Sequence, residues 1–234
     1  MVSDHMASAM ESKVKIPLNH LFVKPDLSFY NRENSLYPLS QISTDNPKKY
    51  TIVTAPTGAG KTDFLLRRCR GRVFYVLPFQ ASINAMYDRI KKDLSDTDAQ
   101  VSLLHSASNL KVKDGTLEES IMQRFVGSSV KVMTPHQMAS IVFGIKGYES
   151  MAIDLKGCDV ILDEIHTYSD VIQSIVLHII DILIVLGCRI HIGTATMPST
   201  LYNKIIEIMG GKEKVYEVNL ADSTLVSFNR HRIY

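Results

Sequence analysis

The sequence predicts an α/β fold with a mostly parallel sheet sandwiched between helices. Short β-branched runs, apolar on both faces, recur along the chain, as strands covered on both sides must. Amphipathic stretches alternate with them at the spacing of strand–helix units. A glycine-rich turn also joins the first run directly to the first helical stretch. Strands are expected near Thr51–Thr54, Val73–Leu77, Val101–His105, Val130–Met133, Val160–Asp163 and Ile190–Thr194, with a last one near Val215–Val218. Helices are expected near Lys61–Cys69, Phe79–Leu94, Leu117–Val126, Pro135–Phe143, Asp170–Leu186 and Pro198–Met209.

The 234 residues suit one domain with non-core segments at each end. The expected division is residues 1–10 as a cloning scar, 11–46 as an irregular N-terminal extension with one short helix, 47–220 as the domain, and 221–234 as a linker. The formal net charge of +2 gives no basis for arguing nucleic-acid binding from overall charge. Cys69, Cys158 and Cys188 are far apart and form no Cys-x-x-Cys pair, so neither a zinc site nor a disulfide framework is expected. The first residues lack the basic and apolar regions of a secretory signal, and a cytoplasmic protein is expected. Val171–Gly187 is strongly apolar, but it carries Gln173, His178 and Asp181 and is short for a membrane span. It reads as a buried helix, with Ile172, Ile175, Ile179 and Leu183 on one face.

Ala55-Pro-Thr-Gly-Ala-Gly-Lys-Thr62 follows an apolar strand and opens a helix, with Ala55 in place of the usual first glycine of a P-loop. Gly58 and Gly60 let successive backbone N–H groups turn toward phosphate oxygens, and the helix N-terminus adds partial positive charge. Lys61 is placed to reach the β- and γ-phosphates of ATP, and the Thr62 hydroxyl to help hold Mg²⁺. Thr57 and Ala59 complete the cradle.

The run Val160-Ile-Leu-Asp-Glu-Ile-His166 ends a buried strand in two carboxylates, where open α/β sheets place ligands. Asp163 is expected to act on Mg²⁺, partly through water. Glu164 is expected to activate the attacking water, and His166 to sense the γ-phosphate.

These segments, with Gly193-Thr-Ala-Thr-Met-Pro198, resemble the first-domain motifs of superfamily-two DExH helicases. Asn84-x-Met86-Tyr87-x-Arg89, Leu104-His105-Ser106, Asp163-Glu164-x-His166-x-Tyr168 and Phe228-Asn-Arg-His231 further resemble the CRISPR-associated helicase-nucleases of type I systems. The resemblance implies a RecA-like P-loop domain, the first of two in an ATP-driven motor. It implies single-stranded DNA as the track, supplied by an RNA-guided surveillance complex, and an HD-type nuclease that degrades it. It also implies that Thr194 and Thr196 couple hydrolysis to domain movement, and that Gln41 reads adenine. Pro78, Gln80, Ser82, Thr134 and Pro135 then lie where such domains follow the DNA backbone, by contacts that carry no sequence information.

Two parts of the family pattern lie outside these residues: an HD nuclease, since no His-Asp dipeptide occurs, and a second RecA-like domain. Three functional readings therefore stand: a helicase motor domain, another class of P-loop enzyme, and a non-catalytic docking module. Asp-Glu-x-His and Thr-Ala-Thr favour the first over the second. Intact Lys61, Thr62, Asp163 and Glu164 favour it over the third. Elsewhere, Arg67, Arg68, Arg70 and Arg72 read as a solvated cap at a helix C-terminus, and His178 and His191 as core or edge histidines.

Overall fold

A computed structural model describes residues 22–32, 37–104, 126–145 and 148–220. Its centre is a seven-stranded sheet in the order β3-β4-β2-β5-β6-β1-β7, every pair parallel. The strands are β1 Tyr50–Thr54, β2 Val73–Val76, β3 Val101–Leu103, β4 Val130–Met133, β5 Asp159–Asp163, β6 Arg189–Thr194 and β7 Val215–Asn219. The helices are α1 Lys61–Arg68, α2 Gln80–Asp93, α3 Pro135–Met138, α4 Ser140–Phe143, α5 Tyr148–Leu155, α6 Asp170–Val185 and α7 Ser199–Ile208.

Strand residues alternate between two cores, as side chains of period two must. Val53, Tyr75, Val132 and Ile161 pack beneath α1 and α2. Ile52, Phe74, Val160, Leu162, Ile190 and Ile192 pack against α4 to α7. All seven expected strands are present, Val130–Met133 with the expected bounds and the others with ends shifted by no more than two residues. No described helix is long and apolar enough to cross a membrane, and α6 buries Ile179 and Leu183 as its pattern requires.

Four expectations are corrected. The stretch Pro135–Phe143 is two short helices separated at Ala139. Helix α5 was not anticipated, because one of its three buried residues is Asp154 and the apolar period is therefore broken in the sequence. Asp154 is buried because Arg72 (2.7 Å), Lys131 and the Gly127 N–H (3.0 Å) all bond it.

The N-terminal segment is not wholly outside the core. Tyr30 and Leu39, on 3-10 turns at Ser28–Tyr30 and Pro38–Gln41, are fully buried against α1. Of the arginine cluster only Arg70 is a solvated cap, exposed and donating to the Arg67 and Cys69 carbonyls. Arg67 donates to three carbonyls of residues 39–42, and Arg72 belongs to the Asp154 group. Arg68 is fully buried and donates to the carbonyls of Thr44, Asn46 and Lys48. A guanidinium is weakly hydrated and offers five donors, so burial is tolerable when carbonyls surround it. The strand expected to His105 ends at Leu103, and His105, residues 117–125 of an expected helix, and segments 1–21 and 221–234 lie outside the described residues.

Arg68 also begins a buried chain. Its Nε donates to Thr51 Oγ1 at 3.1 Å, Thr51 meets His191 Nδ1 at 3.2 Å, and His191 Nε2 lies 2.8 Å from Asp159 Oδ1. The other Asp159 oxygen accepts the N–H groups of Arg70 and Gly71. Cys69, Asp159 and His191 have ligand-type atoms within 4.8 Å of one another. Those atoms already make internal hydrogen bonds, and Arg68, Arg70 and Arg189 make the surroundings unfavourable for a dication. Neutral His191 fits the chain, with Nδ1 accepting and Nε2–H donating.

Burial lowers the His191 pKa from 6.5, with the Asp159 hydrogen bond opposing. A folded-state pKa below the unfolded value contributes stability that is complete above 6.5 and is lost as pH falls. Urea midpoints should therefore drop between pH 7.5 and 5, and the drop should be shallower in His191→Gln. Equal slopes would contradict this role.

Candidate functional site

At the carboxyl end of β1 the chain turns through Ala55–Gly60 into α1. The Ala55 N–H donates to the Thr194 carbonyl at 3.1 Å, which hangs the loop from the end of β6. Gly58 and Gly60 have φ of 82° and 91°, the left-handed region open to glycine. At Gly60 a Cβ would also come within 2.8 Å of Tyr37. Leu39 N–H donates to the Ala59 carbonyl at 3.1 Å, so the turn bearing exposed Gln41 is stitched to the loop. Thr57 and Gly58 are exposed, and Ala59 is buried.

Lys61 is buried, and its Nζ donates to the Ala55 carbonyl at 2.9 Å. The same nitrogen lies 3.7 Å from Glu164 Oε1, so the loop and the acidic strand end meet at this ammonium. Asp163 is 4% exposed. Tyr75 Oη donates to its Oδ2 at 2.6 Å, and the Glu164 N–H donates to its Oδ1 at 3.0 Å. Burial pushes the Asp163 carboxyl above the ordinary range, while the Tyr75 hydrogen bond and the nearby Lys61 charge pull the other way.

Asp163 and Gly193 are Cα partners across β5 and β6. A Cβ on Gly193 would lie 2.6 Å from Asp163 Oδ1 and 2.7 Å from Leu65 Cδ1 of α1. The missing side chain is what lets the carboxylate and α1 share one space. Glu164 has φ 55° and ψ 37°, a conformation that costs a non-glycine residue about 1–3 kcal/mol. Its N–H also donates to the Gly193 carbonyl at 2.8 Å, which helps hold the turn in place.

His166 Nδ1 lies 2.9 Å from Thr194 Oγ1 and 3.4 Å from Glu164 Oε2. The Thr194 hydroxyl donates its only hydrogen to the Thr196 carbonyl at 2.6 Å. His166 must therefore carry its hydrogen on Nδ1 and donate to Thr194. Thr194 is fully buried, and Thr196 is exposed.

Pro78, Gln80 and Ser82 follow β2, and Thr134 and Pro135 follow β4, all at the carboxyl edge of the sheet. Gln80 is exposed and Pro135 is buried. Thr134 and Gln137 form a reciprocal capping box on α3, which occupies the threonine hydroxyl. Arg89 pairs with Asp63, next to Thr62, and so ties α2 to the first turn of α1.

The structure thus gathers Lys61, Asp163, Glu164, His166 and Thr194 into one bonded group. It leaves Gln41 beside the loop and the five edge residues at the ends of β2 and β4. Two residues packed against the group, Gly193 and Tyr75, had no role from sequence. A glycine inside an apolar strand signals a close approach, so Gly193 could have been found. Tyr75 carried no local signal, because its place depends on β2 pairing with β5. Chemically, the group offers oriented amides at a helix N-terminus, an ammonium, a hydroxyl and buried carboxylate oxygens. Such hard oxygen donors fit a magnesium ion, and the loop fits a polyphosphate.

The chain matches the DEAD/DEAH box helicase family over residues 39–204. It is 29% identical over 164 residues to a CRISPR-associated nuclease/helicase Cas3 from Methanothermobacter thermautotrophicus, covering 65% of this chain and 20% of that protein. Among solved structures it resembles T. fusca Cas3–AMPPNP with a TM-score of 0.65 and 19% identity, over 80% of this chain and 24% of that one. It also resembles the Pyrococcus furiosus Hef helicase domain, with a TM-score of 0.56 and 13% identity over 79% and 38% of the two chains. The two structural likenesses establish a shared fold.

Gly193→Ala should lower stability by about 1–3 kcal/mol, the usual cost of overpacking, because Asp163 or Leu65 must move. Chemical denaturation measures this, and an unchanged midpoint would show that α1 has slack the geometry denies it.

Proposed function

The chain belongs to the DEAD/DEAH box helicase family, and from that premise we propose that it is the ATP-binding first motor domain of a CRISPR-associated helicase that moves along single-stranded DNA. The observation that supports this most strongly is the meeting of Lys61 with Glu164 at 3.7 Å, across the mouth of the Ala55–Gly60 loop. Bare, Lys61 rests on a protein carbonyl and a carboxylate. In the proposed complex it exchanges them for β- and γ-phosphate oxygens, while the N–H groups of the loop and the first turn of α1 hold the remaining charge. Thr57, Gly58, Ala59 and Gly60 form the cradle, and Gln41, on the turn stitched to it, contacts adenine.

Thr62 and Asp163 would hold Mg²⁺, partly through water. The ion would neutralise charge on the phosphates and fix their orientation. Glu164 orients and deprotonates the attacking water once Lys61 has moved to phosphate. His166, bonded to Thr194, passes the state of Glu164 to the Thr194–Thr196 segment, which couples it to domain movement. Gln80 and Ser82, with Pro78, Thr134 and Pro135 shaping the same edge, follow the DNA backbone.

The chain spans only 20% of the nuclease/helicase it matches, so the wider assembly is part of the proposal. It comprises a second RecA-like domain carrying an arginine finger, an HD-type nuclease, and a CRISPR RNA-guided surveillance complex, all in the cytoplasm. Within it, residues 47–220 form the motor domain, 11–46 an N-terminal segment whose Tyr30 and Leu39 pack onto that domain, and 221–234 a linker. Arginine fingers contribute roughly 10³–10⁵ in rate, so the chain by itself should hydrolyse ATP very slowly.

Titration with a fluorescent ATP analogue tests the reading. Lys61→Ala should weaken binding about tenfold or more, since charge-assisted bonds to phosphate are lost. Equal binding by both proteins would instead favour a docking module that has kept only the fold.

A further inference from the structure

Tyr75 sits on β2, one strand away from the acidic tip of β5, and none of the roles above uses its hydroxyl. Its Cα partner on β5 is Ile161. Asp163, two residues further on, points to the same face, within the diagonal reach of an aromatic side chain. The ring is fully buried in the core beneath α1. Its hydroxyl donates to Asp163 Oδ2 at 2.6 Å. The other carboxylate oxygen accepts the Glu164 N–H and faces the space left by Gly193. A phenol on one side and an amide on the other therefore fix the plane of this carboxylate.

We infer that Tyr75 is the positioning residue that sets the Asp163 carboxylate opposite the Thr62 hydroxyl for the divalent cation of a bound nucleotide. The inference rests on the nucleotide-binding reading above and adds to it the device that orients the metal's carboxylate. Magnesium demands near-ideal octahedral geometry, so a carboxylate free to rotate binds it less well than one held in place. Groups that orient metal ligands in this way typically contribute 10–100-fold in metal affinity. A tyrosine present only to fill the core would be replaceable by phenylalanine, which keeps the ring and loses only the hydroxyl.

The test is a titration of the full chain with a fluorescent, non-hydrolysable ATP analogue, in EDTA and across a range of Mg²⁺ concentrations. Wild type and Tyr75→Phe should bind within about twofold of one another in EDTA, which also reports that the variant is folded. The Mg²⁺ concentration that gives half of the metal-dependent gain should rise about tenfold or more in Tyr75→Phe. In an Asp163→Asn background, adding Tyr75→Phe should change the Mg²⁺ response no further, because the hydroxyl acts through the carboxylate. An unchanged Mg²⁺ midpoint, or an equal loss with and without metal, would overturn the inference and leave the nucleotide reading in place. A wild-type protein that binds no nucleotide, or gains nothing from Mg²⁺, would overturn both.

Discussion

Helix α1 lies against the sheet over a glycine, and the placing of both ends of that helix follows from this contact. Any side chain on Gly193 would strike Leu65 of α1 and Asp163 together. With the space open, the eight-residue helix runs about 10 Å from Lys61 to Arg68 and joins two polar clusters on one face of the sheet. At the carboxyl ends of the strands lie Lys61, Asp163, Glu164, His166 and Thr194. At the amino ends lie Arg68, Thr51, His191 and Asp159. The second cluster is closed and internally satisfied, and it anchors the helix. The first carries exposed loop backbone, a left-handed Glu164 and a lysine shared between a carbonyl and a carboxylate.

Charge explains how the first cluster holds together. A buried carboxylate and a buried ammonium are each expensive to desolvate, and their attraction offsets the cost only when further hydrogen bonds complete the set. Lys61 has the Ala55 carbonyl and Glu164, and Asp163 has Tyr75 and the Glu164 amide. In the proposed complex each of these contacts gives way to a phosphate oxygen, a metal or water. The Arg68 bonds at the far end of α1 and the bond from Leu39 to Ala59 tie the helix and the loop to their neighbours on both sides of this cluster.

Much of this was legible in the sequence because the signals were local. The glycines and lysine of the loop are consecutive, Asp163 to His166 end one apolar run, and the strands declare themselves by β-branched residues on both faces. What was not legible depended on pairing between distant segments. Tyr75 gains its role only because β2 lies beside β5. Arg68 looks like a solvated helix end until residues 44–48 fold their carbonyls around it. Asp154 hides α5 because its partners, Arg72 and Lys131, come from two different strand regions. In each case a polar residue is buried by a distant partner, and a rule that equates polar with exposed fails there.

The central claim is that the Ala55–Gly60 loop and the tip of β5 enclose one triphosphate and its metal. A crystal structure of the chain with a non-hydrolysable ATP analogue and Mg²⁺ tests it most directly. The account predicts Lys61 Nζ released from the Ala55 carbonyl and bonded to phosphate oxygens, with metal density between the Thr62 hydroxyl and Asp163. A nucleotide bound elsewhere, or Lys61 still on Ala55 beside an occupied loop, would contradict it.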